Sequence, residues 1–149
     1  MSGRLRGWWG LPGSERWTLL LMLAWLPLMS LSLRLVGYVR TRRWVERCSP
    51  VNSPRTATAI DLQSAERLAQ LADVAGRRGA ITVTCLRQSL LVYGWLRRRG
   101  FAPELVLGVR KQEGAFDAHA WVELEGRALG QSELAYQPFT AGRRPAAQA

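Results

Sequence analysis

One histidine and two cysteines are the whole stock of imidazole and thiolate ligands in these 149 residues. His119, Cys48 and Cys85 form no Cys/His cluster, so a zinc site is not indicated, and no metal or organic cofactor is implied. Lysine is almost missing too: Lys111 stands alone against twenty arginines. A GC-rich coding genome explains that bias as well as selected phosphate contacts would. The net charge of +10 comes with no groove-reading motif, so nucleic acid is a disfavoured partner. An anionic membrane surface or an acidic peptide suits the same charge. Charge of either sign is absent from Trp17 to Leu33, a run of 17 residues at the short limit for a membrane span. Pro27 stands mid-run and is expected to kink a helix there. Arg40-Thr41-Arg42-Arg43 follows as a positive-inside flank would. Three readings of this segment stay open. It is a transmembrane anchor or uncleaved signal, a cleaved signal peptide with a weak site at Ser30-Leu31-Ser32, or a helix covering the domain, a partner or a membrane surface. The last is favoured, with residues 17–39 as the surface-contacting stretch.

What is present is enough for one domain with a core: 48% of the residues are apolar. Four of the seven tryptophans, Trp8, Trp9, Trp17 and Trp25, fall in the first 25 residues and mark an interaction surface or membrane contact. Residues 1–47 carry eight Arg against two Glu, and residues 48–149 thirteen basic against nine acidic residues. The organisation expected is an Arg/Trp-rich N-terminal segment with an apolar helix (1–47), a Pro/Ser/Asn/Thr linker (48–59), a domain (60–139) and a flexible tail (140–149).

Ser14 is a candidate N-cap for the apolar helix. Ile60, Leu62, Ala65, Leu68, Ala69, Ala72 and Ala75 predict an amphipathic helix over 60–76, with Asp61 in its first turn and Gly76 and Gly79 closing it. A strand-like run, Ile81 to Thr84, leads into a helix over 86–99 that ends in three arginines and Gly100. Strands are expected over 104–110, 116–124 and from 127 to about 130, with Glu125-Gly126 as a hairpin turn. His119, Trp121 and Glu123 share one face of the middle strand, and a helix carrying Cys85 packed on that face would join thiol and imidazole. The class is α+β.

Cys85 and His119 are the chemical core of the sequence. A cysteine at a helix N-terminus has its thiolate stabilised by the helix dipole and free N–H groups. An imidazole nearby can take the thiol proton and return it to a leaving amine. This chemistry needs Cys85 free of any disulfide with Cys48, hence a reducing compartment such as the cytoplasm, or the inner face of its membrane.

The stretches Thr84-Cys85-Leu86, Ser89-Leu90, Leu96-Arg97-Arg98-Arg99-Gly100-Phe101, Leu107-Gly108-Val109-Arg110 and Ala118-His119-Ala120-Trp121-Val122-Glu123, then Gly126, resemble the lasso-peptide leader peptidases. That family is the transglutaminase-like domain also found at the C-terminus of the microcin-processing protein. The resemblance covers roughly residues 60–135 and rests on order and on the 34-residue spacing from Cys85 to His119. It implies a transglutaminase-like (papain-like) core, a central helix carrying the cysteine against an antiparallel sheet, and an apolar N-terminal helix ahead of it. It implies a cysteine peptidase that cuts the leader from a ribosomally made precursor peptide. A separate leader-recognition protein and an asparagine-synthetase-like, macrolactam-forming cyclase are the implied partners. The family's third catalytic residue is usually an Asp about a dozen positions after His, and no Asp follows Asp117 here. Gln131 is favoured for the slot, as Asn serves in papain-like proteases, with Glu133 as the alternative. A three-residue loop at 125–127 would put both on the His119 face; a two-residue turn would put Gln131 on the other. Gln88 and Gln131 are candidates for a second oxyanion donor beside the Cys85 N–H, and Trp121 for the cleft wall or the core. Asp117 and Glu123 are expected to have only structural charges. Acyl transfer to an amine, and a weakly active membrane-associated scaffold, are the alternatives to peptide hydrolysis.

Overall fold

The computed structural model describes residues 13–78, 85–112, 115–130 and 137–138. Helices α1 (Gly13–Cys48), α2 (Ala59–Arg78) and α3 (Cys85–Arg98) precede strands β1 (Glu104–Gln112), β2 (Ala115–Leu124), β3 (Arg127–Ala128) and β4 (Gln137–Pro138). The strands make an antiparallel sheet in the order β3-β2-β1-β4. This is the α+β arrangement expected. The expected strand at 81–84 and the tail from 140 lie outside the described residues.

Helix α1 doubles back on itself. Gly37 holds φ +78° and ψ 173°, a region that essentially only glycine occupies. Trp25 and Trp44 would be ~28 Å apart along a straight helix. Their ring centroids lie 6.2 Å apart instead. The Ser32 and Thr41 hydroxyls meet at 2.9 Å across the bend, and Thr41 Oγ1 also donates to Gly37 O. The segment is therefore a helical hairpin with arms 13–36 and 38–48. The break falls at Gly37 and not at Pro27, whose backbone stays helical. The helix already includes Gly13, so the Ser14 backbone lies inside it; the Ser14 side chain is outside the described ones.

The second arm is tied to α3 by polar contacts. Tyr93 OH and Arg42 Nε both donate to Glu46 Oε1 at 2.9 Å, and Arg97 Nε donates to Ser49 O at 3.1 Å. Burial raises the Glu46 carboxyl, but the bonds from Arg42 and Tyr93 outweigh it and hold the group below its ordinary value. Packing does the rest: Leu19, Met22, Leu26 and Met29 of the first arm share one core with Leu68 and Leu71 of α2, Leu96 of α3 and Val122 and Leu124 of β2.

Thr58 and Asp61 open α2 with a reciprocal cap. The Thr58 N–H donates to Asp61 Oδ2 and the Asp61 N–H to Thr58 Oγ1. The helix runs past Gly76, the expected stop, to Arg78. Helix α3 ends as its Gly100 predicted. Gly100 has φ +85°, its N–H donates to Arg97 O, and the Phe101 N–H reaches back to Leu96 O, with both Phe101 and Leu96 buried. The linker is strapped across this end. Arg55 N donates to Gly100 O, its guanidinium sits 4.3 Å from the Phe101 ring centroid, and Ala57 N donates to Glu125 Oε1.

Candidate active site

Cys85 is the first residue of α3, half-buried, with a free thiol. Cys48 is free as well and exposed, so no disulfide competes for the thiol. That position puts the sulfur beside the N–H groups that begin a helix. His119 comes from β2, half-buried, opposite Gly108 of β1. Glycine places no side chain across from the imidazole.

The two residues line one cleft of about 240 Å³. Helix α2 contributes Ala69, Ala72 and Asp73, α3 contributes Cys85, Gln88, Ser89 and Val92, and β2 contributes His119 to Val122. Sequence reasoning brought Cys85 and His119 together but by a different packing. The β2 face that enters the helical core carries Val122 and Leu124, not His119 and Trp121. The cleft forms instead where β3 leaves β2, so residues from both faces of β2 border it. The reason lies in the strand edge. Val122 O accepts from Leu129 N at 2.9 Å, and Ala120 O, the next carbonyl on that edge, accepts from Ser89 Oγ at 2.9 Å. A side chain of α3 thus satisfies β2 one residue from His119.

The imidazole lies against Trp121, ring centroids 6.1 Å apart and planes 18° from parallel. Trp121 is only 2% exposed and its Nε1 donates to Glu123 Oε1 at 2.9 Å. Trp121 therefore serves both as a buried anchor and as cleft lining, and Glu123 holds the indole that abuts the histidine. The Gln88 amide occupies space above Gly76, where a Cβ would come within 1.9 Å of Nε2. Gly76 thus lies inside the last turn of α2 without the positive φ of a helix-ending glycine, and the Gln88 amide fills the space a side chain would take.

The turn after β2 is the two-residue one. Leu124 pairs with Arg127, and Glu125 and Gly126 have φ +50° and +74°. The three-residue loop that would place Gln131 on the His119 face is not formed. Gln131 and Glu133 themselves lie outside the described residues, as does the side chain of Asp117. Among the described lining residues Asp73 is the one carboxylate, and nothing in the sequence marks it beyond a polar position on α2. No group of three or more metal-ligating side chains occurs among the described residues.

A thiol at a helix start, an imidazole in the same cleft and a sheet beside them are the parts of a thiol acyl-transfer site. The model of the transglutaminase-like superfamily matches residues 26–143, well over half of the chain. This chain belongs to the transglutaminase-like superfamily. The match includes most of the α1 hairpin, in keeping with the core that α1 shares with α2 and α3. Transglutaminase-like domains support cysteine-protease or acyl-transferase chemistry, and both run through a cysteine-bound acyl group. No curated protein and no solved structure matches the chain.

Proposed function

We propose that this transglutaminase-like protein is a cysteine peptidase that removes the leader from a ribosomally made lasso-peptide precursor. The observation that carries the reading is the cleft shared by Cys85 and His119. The sequence stretches around both residues, which resemble the leader peptidases, select the substrate class. In this reading the Cys85 sulfur attacks the scissile carbonyl while His119 takes the thiol proton. The oxyanion meets the Cys85 N–H and a side-chain amide, that of Gln88 or Gln131; losing one such donor costs about 100- to 1,000-fold in rate. The C–N bond breaks, His119 protonates the leaving amine, and the leader stays on sulfur as a thioester. Water then attacks, its proton passing to His119, and the thiol is restored. Gln131, or Glu133 in its place, would orient the imidazole, carried there by the bend at Gly130 (φ +74°) and not by the register of the hairpin. A separate leader-recognition protein presents the precursor, and an asparagine-synthetase-like cyclase closes the freed amine onto a side-chain carboxylate.

The test is mass spectrometry of a candidate precursor incubated with this protein and a leader-binding partner. A single leader–core cut, absent with Cys85→Ala, is the expected result. An intact precursor in both samples, with the partner shown to bind the leader, would overturn the reading. Leader joined to an added amine in place of free leader would make the protein an acyl transferase.

A further inference from the structure

The first arm of α1 is apolar on two opposite sides. Its inner stripe, Leu19, Met22, Leu26 and Met29, is in the core. Half a turn round, Trp17, Leu20, Ala24, Leu28, Leu31 and Leu35 recur at three- and four-residue steps and face outward. Trp17 is 65% exposed, Leu31 53% and Leu35 73%. Among the described residues, eight of the nine large exposed hydrophobics lie on α1, with Ile60 the exception. Single exposed apolar residues are ordinary, but a stripe ~27 Å long on one helix is a docking face.

Charge selects the occupant. Between Glu15 and Glu46 the hairpin has no acidic residue and carries Arg16, Arg34, Arg40, Arg42 and Arg43. Arg34, Arg40 and Arg43 are exposed, while Arg42 is paired with Glu46. Arg34 flanks the outer stripe, where its stem can run along apolar surface and its head reach polar surroundings. The preceding sequence adds Arg4, Arg6, Trp8 and Trp9. Apolar residues with tryptophan on one side and arginines along the border are the chemistry of an anionic lipid interface.

By length and composition α1 is apolar enough to cross a bilayer, with a mean hydropathy of 2.0 over its best window. Its shape and packing argue otherwise. The chain reverses at Gly37, and a spanning helix would have to withdraw the inner stripe from the core it shares with α2 and α3.

We propose that the outer face of the α1 hairpin docks this protein flat on an anionic membrane. The Trp17–Leu35 stripe enters the boundary between headgroups and acyl chains, and the arginines meet lipid phosphates. The inference stands on α1 alone and holds or fails independently of the Cys85 chemistry.

The test is flotation of the full chain with vesicles of phosphatidylcholine alone and of phosphatidylcholine with phosphatidylglycerol. The protein is expected to float with the anionic vesicles, at least tenfold more than with neutral ones, and to be released as salt shortens the screening length. The double change Leu31→Glu and Leu35→Glu, both at exposed positions, should abolish flotation with an unchanged circular dichroism spectrum. Quenching of tryptophan emission by brominated acyl chains tests the same contact in the unaltered protein. Failure to float or be quenched, equal flotation with both vesicle types, or flotation that survives the double change would overturn the proposal. A dimer that the double change dissociates, with no lipid binding, would assign the stripe to a second copy of the chain instead.

Discussion

Ser89 lies one turn into α3 and is 7% exposed, with its hydroxyl on Ala120 O. Removing the hydroxyl leaves a buried carbonyl without this donor, at a cost of about 1–3 kcal/mol. Ser89→Ala should therefore lower the unfolding free energy, read by denaturant titration, by that amount and depress turnover as well, because the same bond couples the cysteine helix to the histidine strand. Gly76→Ala should behave differently. The atom in its way is the tip of Gln88, a flexible side chain that can swing aside. Its melting temperature should change little while its turnover falls toward that of Gln88→Ala. Cys85 and His119 were legible because each residue type is scarce, and because Cys85 opens a recognisable helix and His119 lies in a recognisable strand. Ser89 was not, since no pattern marks a side chain aimed at a backbone oxygen 31 residues away. Asp73 was not, because only the packing of α2 on α3 carries it to the cleft.

At the scale of elements the sequence read best where caps and turns state their own geometry. The end of α3 at Gly100 and the Glu125-Gly126 hairpin both formed as expected. It read worst in α1, whose two opposed apolar stripes hide the periodicity that would reveal a buried side, and where Pro27 drew attention away from Gly37. Gly37→Ala places a Cβ at φ +78° and should cost about 1–3 kcal/mol, read as a lower melting temperature. The tie between the second arm and α3 carries a pH dependence. The folded state holds the Glu46 carboxyl below its unfolded value, so its contribution is complete above the ordinary carboxylate range. It is lost as pH falls below that range. Melting temperature should therefore decline with acidification, and Glu46→Gln should flatten that part of the decline.

At the scale of the whole molecule, a helical hairpin, two further helices and a small sheet close on one core, and the cleft opens where the sheet edge meets α2 and α3. The α+β class was legible because helical and strand periodicities occupy separate halves of the sequence. The face of β2 that meets the helices was not, because Trp121 on one face is as bulky and apolar as Val122 or Leu124 on the other, and alternation alone does not say which side is covered. The central claim is that Cys85 and His119 act as one unit. The direct measurement is a double-mutant cycle on precursor cleavage, with Cys85→Ala, His119→Ala and both together, and Cys48→Ser as a control that keeps full activity. The account predicts that each single change falls to nearly the same floor and that the double change falls no further. Losses that simply add, or full cleavage by Cys85→Ala, would contradict it.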